Sequence, residues 1–259
     1  MNTVKNYILG NWETGSSSEY TARHAITGAE FATVSSEGLD YKSILDYARS
    51  VGGPALRAMT FQERGRMLKA LALHLTSIKG QFYDMSWATG ATKVDSWIDI
   101  EGGIGNLFAN ASLRRQFPDL PYYVDGELAR LSKEGTFIGH HIMVPRHGVA
   151  VHINAFNFPI WGMLEKIAVN LMAGVPAVVK PSEYTSYLTE VMVKAIIDSK
   201  LLPEGALQFV SGKGRGILDH VDFQDIITFT GSAATGQTLR GLPHLNERSV
   251  PFNLEADSL

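Results

Sequence analysis

The spacing of apolar residues predicts two zones of different secondary structure between residues 39 and 147. In residues 39–112, apolar side chains recur every three or four positions, which predicts packed helices. Thr60 stands three residues before Glu63, the arrangement of a helix-capping box. In residues 118–147 the pattern changes to short β-like runs with a polar turn at Lys133 and Glu134, which predicts an extended β arm.

After Gly148, short apolar runs alternate with helical stretches. The predicted strands are 149–153, 177–179, 206–210 and 226–229, and the predicted helices are 161–172 and 188–197, with one short helix before the last strand. Such alternation is typical of an α/β fold in which a parallel sheet carries helices on both faces. In this architecture ligands bind beyond the carboxyl ends of the strands.

Composition and charge narrow the range of partners. The chain is 45% hydrophobic and 19% charged, as expected of a globular protein, and its net charge of −3 provides no basic field. We therefore expect a small-molecule partner and neither nucleic acid nor a membrane. No apolar run approaches the roughly 18 residues of a spanning helix. The N-terminus also lacks the features of a signal peptide, which favours a cytoplasmic location.

The chain contains no cysteine, which excludes disulfides, thiolate metal sites and cysteine-based catalysis by these residues alone. The histidines of the predicted arm have no converging carboxylate at ligand spacing, so we expect no metal site. Trp87, Trp97 and Trp161 fall in helical segments with apolar neighbours, and we expect them in the core.

Polar residues and glycines follow each predicted strand of the second half. These segments are 154–159, 180–183, 211–214 and 230–236. They supply amide donors, a lysine, a glutamate and glycines that let a ligand approach the backbone. Together they suit a dinucleotide, although none is decisive alone.

Four motifs resemble those of the aldehyde dehydrogenase superfamily in order and spacing. They are Asn157-Phe158-Pro159 (its asparagine motif), Lys180-Pro181-Ser182-Glu183 (its ribose-binding stretch), Phe229-Thr230-Gly231-Ser232 with Gly236 (its phosphate turn) and Leu254-Glu255 (its general-base motif). Within the superfamily, the segments 24–28, 53–61, 95–105 and 151–159 resemble the dehydrogenase half of bifunctional phenylacetate-degradation proteins. The resemblance covers essentially the entire chain, although residues 256–258 depart from the glycines and lysine usual there.

The resemblance implies a Rossmann-type fold and NAD(P)-dependent oxidation of an aldehyde through a cysteine thioester. The substrate implied is a semialdehyde of aromatic catabolism, with a CoA-linked one as the specific expectation. The cysteine would lie on a strand beyond Leu259, so the catalytic domain is expected to be missing and this chain alone inactive. The implied domains are an N-terminal helical part of the cofactor domain (1–117), a β arm for homo-oligomerisation (118–147) and a dinucleotide-binding part (148–259).

The resemblance also assigns roles to single residues. Asn157 would donate its amide to the oxyanion, or it is an ordinary helix-capping asparagine. Glu255 would activate water, or it is a solvated carboxylate at a strand end. Lys180 and Glu183 would hold the adenosine ribose, and Ser232 with the following helix amides would hold the pyrophosphate. The remaining predicted cofactor contacts are Ile153, Ala155, Phe156, Ser182, Gly212, Thr230, Gly231 and Gly236.

The sequence is compatible with more than one cofactor and more than one function class. Glu183 favours NAD because a 2′-phosphate would meet a like charge, whereas the subfamily resemblance favours NADP. A non-catalytic nucleotide-binding protein and a standalone Rossmann reductase are the alternative functions. The reductase needs a G-x-G-x-x-G after the first strand, and residues 154–159 occupy that place.

Overall fold

The computed structural model describes residues 2–257. The strands are β1 (Asn2–Thr3), β2 (Asn6–Ile8), β3 (Asn11–Glu13), β4 (Tyr20–Arg23), β5 (Glu30–Val34), β6 (Tyr123–Arg130), β7 (Ile138–Met143), β8 (Ala150–Ile153), β9 (Ala177–Lys180), β10 (Leu207–Phe209), β11 (Ile226–Gly231) and β12 (Phe252–Ala256). The α-helices are α1 (Tyr41–Tyr47), α2 (Gly53–Ala58), α3 (Phe61–Ser77), α4 (Gly80–Ser86), α5 (Lys93–Ser112), α6 (Pro159–Met172), α7 (Ser186–Asp198), α8 (Ala233–Arg240) and α9 (Pro243–Glu247).

A seven-stranded sheet organises the molecule, in the order β12-β11-β8-β9-β10-β2-β3. Its first five strands are parallel, and β2 and β3 run antiparallel at one edge. Alternate side chains of β9 enter different cores: Val179 joins the cluster that contains α3, α5, α6 and α7, and Val178 joins the cluster that contains α1 and α9. Helices therefore cover both faces, which confirms the predicted α/β fold.

Residues 2–34 differ from the expected helical part, because they contain five strands. Strands β2 and β3 extend the main sheet, and β1, β5 and β4 form a separate three-stranded sheet. These strands are two to five residues long, too short for a clear alternation of apolar and polar residues. The general-base motif lies on β12, a fifth parallel strand that the sequence pattern did not predict.

The helices predicted in residues 39–112 are present, and the capping box at Thr60 is confirmed. The Glu63 amide donates to Thr60 Oγ1 at 3.2 Å, and the Thr60 amide donates to a Glu63 carboxylate oxygen at 2.8 Å. The expected burial of two tryptophans is wrong, because Trp87 and Trp97 are 62% and 55% exposed. Apolar neighbours in sequence did not reveal which side of each helix faces the core.

The predicted arm is a two-stranded antiparallel sheet of β6 and β7, with a turn at Lys133 and Glu134. Within residues 2–257, no helix is both long enough and apolar enough to cross a membrane. Over the same part of the chain, His, Asp and Glu side chains form no group of three or more that could hold a metal ion.

Candidate active site

One cleft of about 990 Å³ opens at the carboxyl ends of β8, β9, β11 and β12. The predicted site residues that line it are Ile153, Ala155, Phe156, Asn157, Lys180, Ser182, Glu183, Thr230, Gly231, Ser232 and Glu255. The carboxyl ends of parallel strands lie at the same edge of a sheet. The fold therefore brings together residues as far apart in sequence as Ile153 and Glu255.

Two predicted cofactor contacts, Gly212 and Gly236, do not line the cleft. Gly212 has a φ of +76°, and a Cβ there would lie 2.5 Å from Glu19 Oε2. In α8, a Cβ on Gly236 would lie 2.2 Å from Leu254 Cδ1. Protein atoms crowd both positions, and the contact of these two glycines with a cofactor stays a prediction.

A buried lysine and a glutamate meet at the end of β9. Lys180 is 8% exposed, and its Nζ lies 3.5 Å from Glu183 Oε2. Burial lowers the pKa of Lys180, and the nearby charges of Glu183 and Glu19 oppose that change. The pair offers a cationic donor and a carboxylate acceptor side by side, which suits neighbouring hydroxyl groups of a ligand.

The N-terminus of α8 opens on the cleft. Ser232 is its N-cap and accepts a hydrogen bond from the Thr235 amide at 3.2 Å. The Ala233 amide donates to both carboxylate oxygens of Asp257 at 3.2 Å. A carboxylate therefore occupies the place where a helix N-terminus favours anions, at one of the positions that departs from the family motif.

Asn157 lies between β8 and α6, exposed on the cleft wall. It does not cap the helix, since Phe158 is the N-cap and makes no side-chain capping bond. The helix-capping explanation for this asparagine is therefore not supported. Within residues 2–257, no side-chain hydrogen bond holds the Asn157 amide, so its position depends on the backbone on either side.

Asp99 on α5 supplies the missing cap of α6. Its Oδ1 accepts hydrogen bonds from the Ile160 amide at 3.1 Å and the Trp161 amide at 2.7 Å. The side chain is buried, and burial raises the pKa of Asp99 to about 7 against the lowering effect of these two amides. The sequence motifs do not include this residue, although an aspartate between Ile98 and Ile100 in a predicted helix is a signal for it.

Glu255 is a paired carboxylate rather than a freely solvated one. Its Oε2 accepts from Lys166 Nζ at 2.9 Å and from Thr230 Oγ1 at 2.9 Å. Partial burial opposes ionisation of Glu255, but these hydrogen bonds and the Lys166 charge hold its pKa below the ordinary value. Lys166, which was also missed, could have been noticed as a lysine within an apolar helix.

A separate group of polar side chains joins β8, β11 and α6. His152 on β8 lies 2.8 Å from Thr228 Oγ1 and 2.9 Å from Asn170 Oδ1. The Asn170 amide nitrogen donates to the Val175 carbonyl, so its Oδ1 must accept from His152 Nε2–H. Burial lowers the pKa of His152 to about 4, and the imidazole is therefore neutral at pH 7.

A second, smaller cavity of about 270 Å³ adjoins the cleft and shares Ala155, Asn157 and Thr230 with it. Its other lining residues are Ile98, Phe158, Trp161, Gly162 and Glu165. The shared wall places Asn157 between the two spaces. A group entering from the smaller cavity would meet Asn157 and then the cleft.

The cleft has the properties of a dinucleotide site. Its volume lies at the upper end of the roughly 300–1,000 Å³ typical of small-molecule and cofactor pockets. Asn154, which also lines it, is 4% exposed, and its amide oxygen and nitrogen both lack a hydrogen-bond partner among the described residues. Buried polar atoms are rarely left unpaired, so this amide is available to a ligand or an ordered water.

Comparison with known proteins gives a single family. The profile of the "Aldehyde dehydrogenase family" matches residues 12–256. A 3,4-dehydroadipyl-CoA semialdehyde dehydrogenase of Aromatoleum evansii is 39% identical over 257 residues, 99% of this chain and 50% of that protein. An NADP-dependent D-glyceraldehyde dehydrogenase of Picrophilus torridus is 30% identical over 91% of this chain and 47% of its own length.

Solved structures show the same fold. The NADP-dependent glyceraldehyde-3-phosphate dehydrogenase of Bacillus halodurans, complexed with NADP, superposes with a TM-score of 0.81 at 22% identity, over 100% of this chain and 53% of its own. The chain thus spans about half the length of the curated relatives it matches. The predicted superfamily resemblance is confirmed.

Proposed function

Because the chain belongs to the aldehyde dehydrogenase family, we propose that it supplies the cofactor cleft, the oxyanion donor and the general base for NAD(P)-dependent oxidation of an aldehyde. One observation carries the proposal: Asn157 and Glu255 line the same cleft as the Lys180–Glu183 pair and the N-terminus of α8. The side chains proposed to react and those proposed to hold the cofactor therefore share one edge of the sheet.

The two reactive side chains have complementary roles. Asn157 carries an unpaired amide that can donate to an oxyanion as charge develops on the aldehyde oxygen. Glu255 is held ionised by Lys166 and Thr230, so that it can take a proton from water during hydrolysis of a thioester. When bound, a nicotinamide cofactor accepts the hydride that leaves the aldehyde carbon.

The cofactor is NAD or NADP. Lys180, Glu183 and Ser182 would hold the adenosine ribose, and the amides of α8 would hold the pyrophosphate once Asp257 releases the Ala233 amide. Glu183 disfavours a 2′-phosphate by charge. Its contact with Lys180 reduces that effect, and two further cations, Lys213 and Arg215, line the same cleft.

The substrate we propose is a CoA-linked semialdehyde. Support comes from the Aromatoleum relative, whose name specifies such a substrate, and from its coverage of 99% of this chain. The smaller cavity beside Asn157 is walled by Ile98, Phe158 and Trp161, which suit a carbon chain carrying the aldehyde.

A non-catalytic nucleotide-binding protein is the second candidate, because the 259 residues contain no cysteine. The nucleophile that forms a thioester must be a thiolate, and no serine lining the cleft has a histidine in contact to activate it. Reading the gene downstream of the Leu259 codon separates the two candidates. An in-frame cysteine-bearing segment favours the dehydrogenase.

An assay of the purified 259-residue chain tests the chemical assignment. We expect no aldehyde-dependent reduction of NAD or NADP above background, because no thiolate is present. In a chain extended to include a nucleophilic cysteine, Asn157→Ala should lower the acylation rate by roughly 10²–10³-fold, as loss of an oxyanion donor does. Glu255→Gln should mainly slow release of the acyl group. Aldehyde oxidation by the protease-checked 259-residue chain would contradict the assignment.

A further inference from the structure

The N-terminal strands reach the cofactor cleft through one carboxylate. Glu19, just before β4, places a single oxygen, Oε2, within hydrogen-bond distance of three donors. These donors are the Ser36 amide at 3.1 Å, Ser36 Oγ at 3.0 Å and the Lys213 amide at 3.0 Å. The carboxylate therefore joins residues 194 positions apart in sequence.

Ser36 links Glu19 to Gly214, the residue after Lys213. Its Oγ donates to Glu19 and accepts from the Gly214 amide at 2.9 Å. The consecutive amides of Lys213 and Gly214 are thus both used by the N-terminal segment. They are unavailable to a phosphate, which separates this turn from a phosphate-binding glycine loop.

Close packing fixes the turn on both sides. A Cβ on Gly212 would lie 2.5 Å from Glu19 Oε2 and 2.7 Å from the Ser36 amide. On the other side, a Cβ on Gly214 would lie 2.9 Å from Lys180 Cγ. The turn is therefore a thin layer between Glu19 and the buried stem of Lys180, and residues with side chains do not fit at either glycine.

This layer forms part of the cleft wall. Lys213 and Gly214 line the cleft next to Lys180 and Glu183. One step earlier, Ser211 donates from its amide and its hydroxyl to Asn6 Oδ1, at 2.7 and 3.0 Å. Displacement of Glu19 would free the turn, and Lys180 would lose the surface against which its stem packs.

We propose that Glu19 is a positioning residue for the adenosine end of the cofactor site, holding the 212–214 turn so that Lys180 and Glu183 keep their places. The inference rests on the proposed function, because it takes the cleft to bind a dinucleotide. Glu19 itself does not line the cleft. It acts through the turn together with Ser36, since Glu19 comes just before β4 and Ser36 just after β5.

The test uses 5′-AMP as the probe, titrated into the 259-residue chain. Glu19→Ala should weaken AMP binding about tenfold, because a charged acceptor of three hydrogen bonds is lost. Glu19→Gln retains an oxygen acceptor without the charge and should fall between Glu19→Ala and the unaltered chain. Glu13→Gln is the matched control, since it removes an exposed carboxylate from the same segment and should leave AMP affinity unchanged.

Hydrogen exchange separates positioning from a general loss of structure. In Glu19→Ala, the amides of Lys213 and Gly214 should exchange faster while amides of β8 and β9 keep their protection. Unchanged AMP affinity in Glu19→Ala would overturn the inference, as would loss of protection throughout the sheet in both Glu19 variants. If the unaltered, folded chain binds no AMP, the proposed cofactor site is wrong, and the role of Glu19 is wrong with it. If AMP binding is weakened in the Glu19 variants and not in Glu13→Gln, both the cofactor site and the role of Glu19 are supported.

Discussion

Two buried ionisable side chains of this molecule have pKa values displaced in opposite directions. Burial raises the pKa of Asp99 to about 7 and lowers the pKa of His152 to about 4. Between pH 4 and 7 the folded state holds the Asp99 proton that the unfolded chain releases, so this residue stabilises the fold more as pH falls. His152 destabilises the fold as pH falls, because the imidazole is protonated in the unfolded chain and stays neutral in the folded state.

The two contributions should largely cancel between pH 5 and 7, and single substitutions should reveal them. In Asp99→Asn, the His152 contribution remains, and the free energy of unfolding should fall by about 2 kcal/mol as pH drops from 7 to 5. In His152→Gln, the Asp99 contribution remains, and the free energy should rise over the same interval. Urea unfolding followed by circular dichroism at pH 5, 6 and 7 measures both slopes.

The unaltered chain is the reference for these slopes. Carboxylates with lowered pKa values, such as Glu255 and Glu19, titrate below this window and affect all three proteins alike. Parallel pH profiles for Asp99→Asn and the unaltered chain would show that Asp99 has an ordinary pKa in the fold.

Helix α5 contacts the first turn of α6, which begins at the end of the asparagine motif. A Cβ on Gly102 would lie 2.1 Å from Trp161 Cζ3, and one on Gly103 would lie 3.0 Å from Trp161 Cα. Asp99 binds the Trp161 amide one turn earlier on α5. The three residues of α5 therefore fix the first turn of α6, and through it the backbone that carries Asn157.

Two glycines of α5 provide a matched test of this contact. Gly102→Ala should lower the free energy of unfolding by about 1–3 kcal/mol, since the tryptophan ring must move to admit a methyl group. Gly105→Ala, with nothing within 4 Å of its added Cβ, should raise it by up to about 1 kcal/mol through helix propensity. Thermal and urea unfolding of both variants measure the difference. Equal stability of the two variants would show that Trp161 is free to move aside.

The elements that the sequence predicted are those with a local signal. Periodicity identified α3, α5, α6 and α7, and the alternation after Gly148 identified the parallel strands. Strand β12 was missed because it lies at one edge of the sheet and none of its five residues is buried, so it shows no buried apolar run. Strand β2 was missed because it has only three residues and pairs with β10, about 200 residues later. The same holds for the site, where Asp99 reaches Ile160, Glu19 reaches Lys213 and Lys166 reaches Glu255.

At the scale of the whole molecule, the β arm carries the largest run of exposed apolar side chains. Phe137, Ile142 and Val144 are 63%, 57% and 66% exposed. A two-stranded sheet has two unpaired edges and is at best marginally stable in water by itself. We propose that the arm docks on a second copy of the chain, so that the chain forms a homo-oligomer.

Sedimentation velocity over a range of concentrations tests the arm. The unaltered chain should sediment faster as concentration rises, and the double substitution Phe137→Lys with Ile142→Lys should abolish that dependence, because two charges would be buried at the contact. Lys133→Glu with Glu134→Lys, at the exposed turn, is the control. Identical concentration dependence in all three proteins would exclude the arm as the contact.

The cleft at the carboxyl edge of the sheet is inferred to bind the adenosine and pyrophosphate of a dinucleotide. Calorimetric titration of the 259-residue chain with ADP-ribose tests it most directly. We expect saturable binding at one site per chain, strongly weakened by Lys180→Met and unaffected by Lys42→Met, a substitution of an exposed lysine. If the chain is folded by circular dichroism but gives no heat of binding with ADP-ribose, NAD or NADP, the cleft does not bind a dinucleotide.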